Sequence, residues 1–194
     1  MCVLAEHSRD EFSRWFNDSG LDILLVQELG LGPVERGWSR IGKNFILKGF
    51  DRDGAKFVGI AVRSTIKDRI MRVHLNHKMI GIDVQLDGCC CRLISAHFPD
   101  GPNHVLFEAR VAAFQSLCDT TWGNLRGRHI LIAGLDANAR LQSGNSDRPQ
   151  HNDLIGPRAS GSPGWKGACL SEMIHACQMV PCNTWENANQ NDNT

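Results

Sequence analysis

Two acidic residues of this 194-residue chain stand where apolar runs end: Glu28 closes Asp22-Ile23-Leu24-Leu25-Val26-Gln27, and Asp136 follows the stretch from His129 to Leu135. A carboxylate at the end of an otherwise apolar strand is held on a rigid support at the rim of a core, where a hard cation or an activated water would be handled. Taken singly, each is weak, because most strand-end acids merely begin a turn. Asn138 lies two residues beyond Asp136. In extended chain these two would project to one side, so a carboxylate and a carboxamide could address one phosphate and one water together. Other constellations lead elsewhere. His74 and His77 fall on opposite faces of a strand and read as surface histidines rather than half a zinc site. The stretch from Gly156 to Gly167 holds no phosphate-cradling glycine pattern after a strand, and there is no nucleophile elbow.

The elements that must carry these residues are legible from periodicity and turn chemistry. Ser8-Arg9-Asp10-Glu11 fits a capping box, with Phe12, Trp15 and Phe16 following at helical spacing and Gly20 as terminator. Leu21–Glu28 then reads as a strand buried on both faces. Ile41–Gly49 and Lys56–Arg63 are strand-like around the turn signal Asp51-Arg52-Asp53-Gly54, and Arg69–Leu75 is another strand. Met79–Leu86 and Cys89–His97 flank Asp87-Gly88, the strongest hairpin mark in the sequence. Pro102 opens a helix in which Leu106, Ala109, Ala113 and Leu117 recur at helical spacing, and His129–Gly134 is a buried strand. Residues 139–167 form a polar, Gly- and Pro-rich segment too long for a passive connector. Ala168–Gln178 reads as a helix and Met179–Trp185 as a last strand, before a polar tail over 187–194. Alpha and beta segments are thus both present, within a single domain expected over 1–186.

Composition narrows the class. With 42% hydrophobic and 22% charged residues the chain is an ordinary globular protein, and no apolar run approaches the ~20 residues of a membrane span. The first eleven residues lack the basic and apolar regions of a secretory signal, so an intracellular site, nuclear or cytoplasmic, is expected, and the eight cysteines are read as thiols. Net charge is zero, yet eleven Lys and Arg from Arg36 to Lys78 face three acids, a local balance of +8. That stretch is either a solvated face or a phosphate-tracking surface.

Five segments occur in a telling order: DILLVQE at Asp22–Glu28, GIAVR at Gly59–Arg63, LISAHFPDGPN at Leu93–Asn103, LIAGLDANARL at Leu131–Leu141, and CNTW at Cys182–Trp185. Together they resemble the endonuclease/exonuclease/phosphatase superfamily, and within it the apurinic-endonuclease-like endonuclease domains of LINE-type retrotransposons. The resemblance implies an α+β fold, a two-sheet β-sandwich flanked by helices in the four-layer DNase-I-like arrangement. It also implies hydrolysis of phosphodiesters in nucleic acid, DNA foremost, with Mg²⁺ or Mn²⁺. Carried over residue by residue, Glu28 is the metal carboxylate, Gln27 supports it, Asp136 orients or deprotonates the attacking water, and Asn138 holds the phosphate or that water. His97 takes the slot near the phosphate; alternatively it is a strand-end histidine satisfied by a loop carbonyl.

This sequence departs from the superfamily pattern in three places. Leu135 stands where a glycine usually precedes the aspartate. An asparagine on a strand ahead of the first helix is missing, and so is a closing Ser-Asp-His. The resemblance therefore implies a domain incomplete at both termini, with hydrolysis impaired or lost in residues 1–194. Two alternatives stay open: a non-catalytic remnant that binds nucleic acid or protein, and a phosphatase for lipid or small phosphoesters on the same fold.

Overall fold

A computed structural model of the chain describes residues 6–29, 37–49, 57–76, 78–122, 127–141 and 164–182. These divide into two compact units, one comprising Met1–Phe98 with Thr121–Asp136 and the other Pro99–Thr120 with Ala137–Thr194.

The first unit begins with helix α1, Glu6–Asp18, which starts before the capping-box residues rather than at them and ends at Gly20, where φ is +73°. Positive φ there favours a residue without Cβ. Strands β1 (Ile23–Leu29), β4 (Phe57–Val62), β3 (Asn44–Lys48) and β2 (Gly37–Ile41) follow one another across an antiparallel sheet. The segment Ile41–Gly49, read above as one strand, folds as the end of β2 and all of β3, joined through Gly42 and Lys43. Gly42 takes φ +60° at the first loop position, which is what a two-residue hairpin demands and what the apolar pattern alone did not reveal. The turn signal at 51–54 lies outside the described residues. A short helix α2, Ser64–Lys67, leads into the second sheet.

That sheet orders β5 (Ile70–Asn76), β6 (Met79–Leu86), β7 (Cys89–His97) and β8 (Arg128–Asp136). The β6–β7 hairpin is the one expected, with Leu86 opposite Cys89 and Gly88 at φ +80°. β8 adds to β7 in parallel, the chain passing through helix α3 between them, and His97 comes to face Asp136 in register.

The two sheets pack face to face. Leu47, Val58, Ile60 and Val62 of one meet Ile80, Ile82, Val84, Cys91 and Leu93 of the other, all buried. On the outer face of the first sheet, Phe16 of α1 is buried with Ile41, Ile46 and Ala61, and Phe12 packs beside it. Arg63 ties that layer together: its backbone N–H donates to Asp22 O (2.9 Å), and its guanidinium to Leu21 O (2.7 Å) and Asn17 O (3.3 Å).

Two sequence expectations give way here. β1 is not buried on both faces: it pairs with β4 alone among the described residues, and Ile23–Gln27 are half-buried. His74 is no surface histidine. Its Nε2 lies 3.1 Å from Asp83 Oδ2, and Asp83 also receives Arg92 Nε (2.7 Å) and Arg92 NH2 (2.9 Å), with Asp83 and Arg92 both fully buried. Arg92 is covered in turn by the Trp122 ring, 4.4 Å away, and Trp122 stacks on His129. A buried charge must be paired, and this pairing recruits the histidine.

The second unit holds α3, His104–Asp119, and α4, Trp165–Ala176. Asn103 caps α3, its side chain accepting from Leu106 N at 3.0 Å. The buried face of α3 is Phe107, Phe114 and Leu117; of the stripe read in the sequence Leu117 is buried, while Leu106 is about half exposed because Phe107 and Phe114 take the interior. Trp165 stacks on His104 (3.6 Å) and meets Phe107 edge-on (5.3 Å). Met179–Pro181 is not strand, and residues 183–194 lie outside the described residues. Pro181, without an N–H, and Gln178, at φ +52°, both work against an extended ladder there. The boundary expected at 186/187 and most of segment 139–167 also fall outside them.

Candidate active site

Glu28 reaches its position through a fault in its own strand. In β1, Val26 pairs with Gly59 and Leu29 with Phe57, so Gln27 and Glu28 together oppose the single residue Val58. This is a β-bulge, and Glu28 within it has φ +54°. Strict alternation would send Gln27 and Glu28 to opposite faces; the bulge lets both address the second sheet. Left-handed backbone at a non-glycine residue costs of order 1–2 kcal/mol, and such strain is kept where the surroundings over-determine it.

What over-determines it is a polar clamp between the sheets. Gln27 Nε2 donates to Gly134 O and to Ser95 Oγ, both at 3.0 Å, and Ser95 Oγ donates to Val26 O at 2.8 Å. Ser95 is fully buried. Gln27 is thereby fixed between the two sheets, next to Glu28 in the chain. Ser95 and Gly134 were not singled out in the sequence, although a serine in an otherwise apolar strand, two residues before His97 and on the same face, is a readable sign.

His97 and Asp136 arrive from the parallel pair β7–β8, whose ends are locked by Phe98 N donating to Asp136 O at 2.8 Å. His97 Nε2 lies 3.4 Å from Glu28 Oε1 and 3.8 Å from Asp136 Oδ2. The imidazole is 14% exposed, while the two carboxylates are 42% and 39% exposed, so the ring is seated and the acids open to solvent. The His97 backbone N–H donates to Lys78 O at 3.0 Å, which sets the last residue of the basic stretch against the site.

One ligand atom from each of Glu28, His97 and Asp136 lies within 4.8 Å of the others. Two carboxylates and an imidazole nitrogen at that spacing fit a divalent cation that accepts mostly oxygen and some nitrogen. Glu28 and Asp136, picked out separately in the sequence as strand-end acids, come together at one rim with His97 between them. Asn138 is a different matter. β8 ends at Asp136 and Asn138 has φ +45°, so the extended-chain reasoning that put both on one side does not hold at this pair. Asn138 belongs to the second unit.

Neither a protein-family model nor a curated protein matches the sequence. Among solved structures, the chain is similar to the endonuclease domain of TRAS1, a telomere-specific non-LTR retrotransposon, at 16% identity and a TM-score of 0.55, over 88% of this chain and 64% of that one. It is also similar to humanized D. rerio TDP2 carrying 14 mutations, at 16% identity and a TM-score of 0.50, over 68% of this chain and 59% of that one. The fold is DNase-I-like. This is the α+β arrangement that the sequence resemblance implied, and the chain spans less than two thirds of either structure. The DNase-I-like sandwich places the bulge, the clamp and the β7–β8 ends at a single rim of the first unit. Among the described residues, no helix is long and apolar enough to cross a membrane.

Proposed function

We propose that the chain is a divalent-metal-dependent phosphodiester hydrolase of the retroelement endonuclease kind, acting on nucleic acid, DNA foremost, inside the cell. The observation that carries this reading is the convergence of Glu28, His97 and Asp136 within 4.8 Å on a DNase-I-like fold. Glu28, with Asp136 alongside, is the carboxylate set that would hold Mg²⁺ or Mn²⁺. When bound, such an ion would polarise a phosphoryl oxygen and stabilise the leaving alkoxide.

The chain's own residues do the rest. Asp136, partly exposed and fixed in register with His97, accepts a proton from the attacking water and aims it. His97 Nε2, held by its neighbours, donates to a phosphate oxygen. Gln27 keeps Glu28 in place through the clamp. Of the basic stretch, Lys48 is buried, Arg63 is tied to backbone carbonyls and Lys67 sits 4.4 Å over the Trp38 ring, so these serve the fold. Arg72 donates to Thr121 O (2.9 Å) and Arg69 lies 3.5 Å from Asp87, whereas Arg40 and Lys43 are exposed and supply phosphate-attracting charge.

The 194 residues contain no Ser-Asp-His, the motif to which the resemblance assigns a phosphate-facing histidine. Losing one preorganised stabiliser typically costs ~10²–10³ in rate, so residues 1–194 are expected to bind metal but to nick DNA poorly or not at all. The test is Mn²⁺ binding and nicking of supercoiled plasmid by the purified chain, its Glu28→Gln form and its Asp136→Ala form. Metal binding that Glu28→Gln abolishes supports the reading. Nicking that Asp136→Ala abolishes supports it further and shows that His97 or another residue fills the missing role. Absence of metal binding by the unaltered chain overturns it.

A further inference from the structure

The separations of His97 Nε2 from Glu28 Oε1 (3.4 Å) and from Asp136 Oδ2 (3.8 Å) both exceed the roughly 2.7–3.2 Å usual between an N–H donor and an oxygen acceptor. They suit atoms that share a cation instead. Two donors on a tetrahedral ion with bonds of about 2.0–2.1 Å stand about 3.3–3.4 Å apart, which is the spacing of the Glu28–His97 pair and within about half an ångström of the His97–Asp136 pair. All three donor atoms lie within 4.8 Å of one another, and the two carboxylates are exposed enough to turn inward and close what remains. The backbone supports this arrangement. His97 and Asp136 are register partners on parallel strands, Phe98 N–H donates to Asp136 O, and the Gln27 clamp fixes the bulge that carries Glu28.

Cations differ in what they ask of such a cluster. Mg²⁺ and Mn²⁺ prefer oxygen, and Mg²⁺ keeps several waters and needs only one or two carboxylates, which leaves an imidazole beside it to donate to phosphate. Zn²⁺ accepts imidazole nitrogen as readily as carboxylate oxygen. Three protein donors with one position open to solvent are its usual complement at an accessible site, and Glu28, His97 and Asp136 supply that number with a seated ring between two solvent-facing acids.

We propose that Glu28, His97 and Asp136 form a three-ligand Zn²⁺ site that competes with Mg²⁺ and arrests hydrolysis. Arrest follows from the roles given to these side chains above, so this inference rests on the hydrolase reading. His97 Nε2 cannot bind a cation and donate to a phosphate oxygen at once. Asp136, sharing its charge with a dication, becomes a weaker acceptor for the proton of the attacking water. The same three side chains serve hydrolysis when the ion takes oxygen alone and silence it when the ion takes nitrogen as well.

The test reads binding rather than nicking. The purified chain is titrated with Zn²⁺ and with Mg²⁺ by calorimetry, Zn²⁺ is added against bound Mn²⁺ under electron paramagnetic resonance, and the histidine ring nitrogens are followed by NMR. Zn²⁺ should bind about 100-fold or more tightly than Mg²⁺, release the Mn²⁺, and shift the His97 ring nitrogens, which Mg²⁺ should leave in place. His97→Gln keeps an amide donor but no imidazole; it should weaken Zn²⁺ by about 10–100-fold or more and change Mg²⁺ affinity less than about threefold, whereas Glu28→Gln should weaken both. Zn²⁺ that binds without moving the His97 signal or without releasing Mn²⁺ sits elsewhere, on the thiols for example, and overturns the proposal while the hydrolase reading stands. Equal affinity for Zn²⁺ and Mg²⁺ overturns it in the same way. A chain that holds Zn²⁺ through His97 but binds neither Mg²⁺ nor Mn²⁺ overturns the hydrolase reading and supports the three-ligand site by itself. Where His97→Gln fails to fold, the ring-nitrogen signal and the Mn²⁺ release of the unaltered chain decide.

Discussion

Gln27 and Gly134 stand 107 residues apart in sequence, and the amide of the first occupies the space that a side chain on the second would need. A Cβ on Gly134 would come 3.0 Å from Leu25 Cβ and 3.1 Å from Gln27 Nε2. Gly134→Ala should therefore destabilise the fold by about 1–3 kcal/mol, the usual cost of overpacking, and should shift the bulge that presents Glu28. Urea unfolding together with Mn²⁺ titration checks both effects. An unchanged midpoint with unchanged metal affinity would mean that Leu25 and Gln27 move aside at no cost.

Ser95→Ala removes the acceptor of one Gln27 hydrogen bond and the donor to Val26 O, both in the interior. The expected loss of stability is about 1–3 kcal/mol. Because the clamp also orients a residue next to a candidate ligand, metal affinity should fall ~10–100-fold. Loss of stability with metal affinity intact would assign Ser95 to the fold alone, whereas Ser95→Thr, which keeps the hydroxyl, should retain most of the affinity.

At Glu28 the interests of fold and site diverge. Glu28→Gly removes the strain of φ +54°, offset by the greater freedom of glycine in the unfolded chain, so the variant should be between neutral and about 1 kcal/mol more stable. Metal binding should vanish with the carboxylate. Calorimetry and metal titration on one sample decide it, and destabilisation beyond about 1 kcal/mol would contradict the account of strain.

Asp83 governs the acid limb of stability. Burial alone would raise its pKa, but the hydrogen bonds from His74 and Arg92, with the Arg92 charge, outweigh that and hold the carboxyl well below the usual carboxylate range. A depressed native pKa means that the stabilisation is complete above the unfolded value near 4 and is lost as pH falls from there through the native value. Asp83→Asn should cost about 3–5 kcal/mol at pH 7, since it leaves Arg92 buried without its partner. The difference between the two proteins should shrink below pH 4. A difference that stays constant from pH 7 to pH 3 would show that Asp83 contributes through packing rather than charge.

The sequence announced those parts of the fold in which local chemistry and tertiary placement agree. Asp87-Gly88 requires positive φ and gave the β6–β7 hairpin to the residue. The apolar run ending at Asp136 had to be a strand. Legibility failed where long-range packing sets the conformation. The bulge at Gln27–Glu28 carries no turn residue, and the positive φ of Glu28 is imposed by Ser95 and Gly134 from the other sheet. The partnership of His74 with Asp83 and Arg92 joins three strands: the hairpin register sets Asp83 opposite Arg92, but the approach of His74 depends on how β5 pairs with β6, which no turn residue announces. The site was legible as a set of residues and not as a geometry: Glu28 and Asp136 could be picked as strand-end acids, but the seating of His97 between them depends on a parallel register that periodicity does not encode.

That register also dictates when the site comes into being. His97 meets Asp136 only once β8 has docked in parallel on β7 across the intervening helix, and Glu28 joins them only when β1 has closed over both. Each step closes a long loop before any contact rewards it, which is the slow class of folding event. The β6–β7 hairpin, closed by two residues, has no such delay. On a ribosome the nascent chain holds Glu28 and His97 well before Asp136 has emerged, and the parallel pairing has to wait for it. The cluster of Glu28, His97 and Asp136 is accordingly among the last features to mature, so a metal bound there would reward the finished fold and would find no preformed cluster early on the pathway.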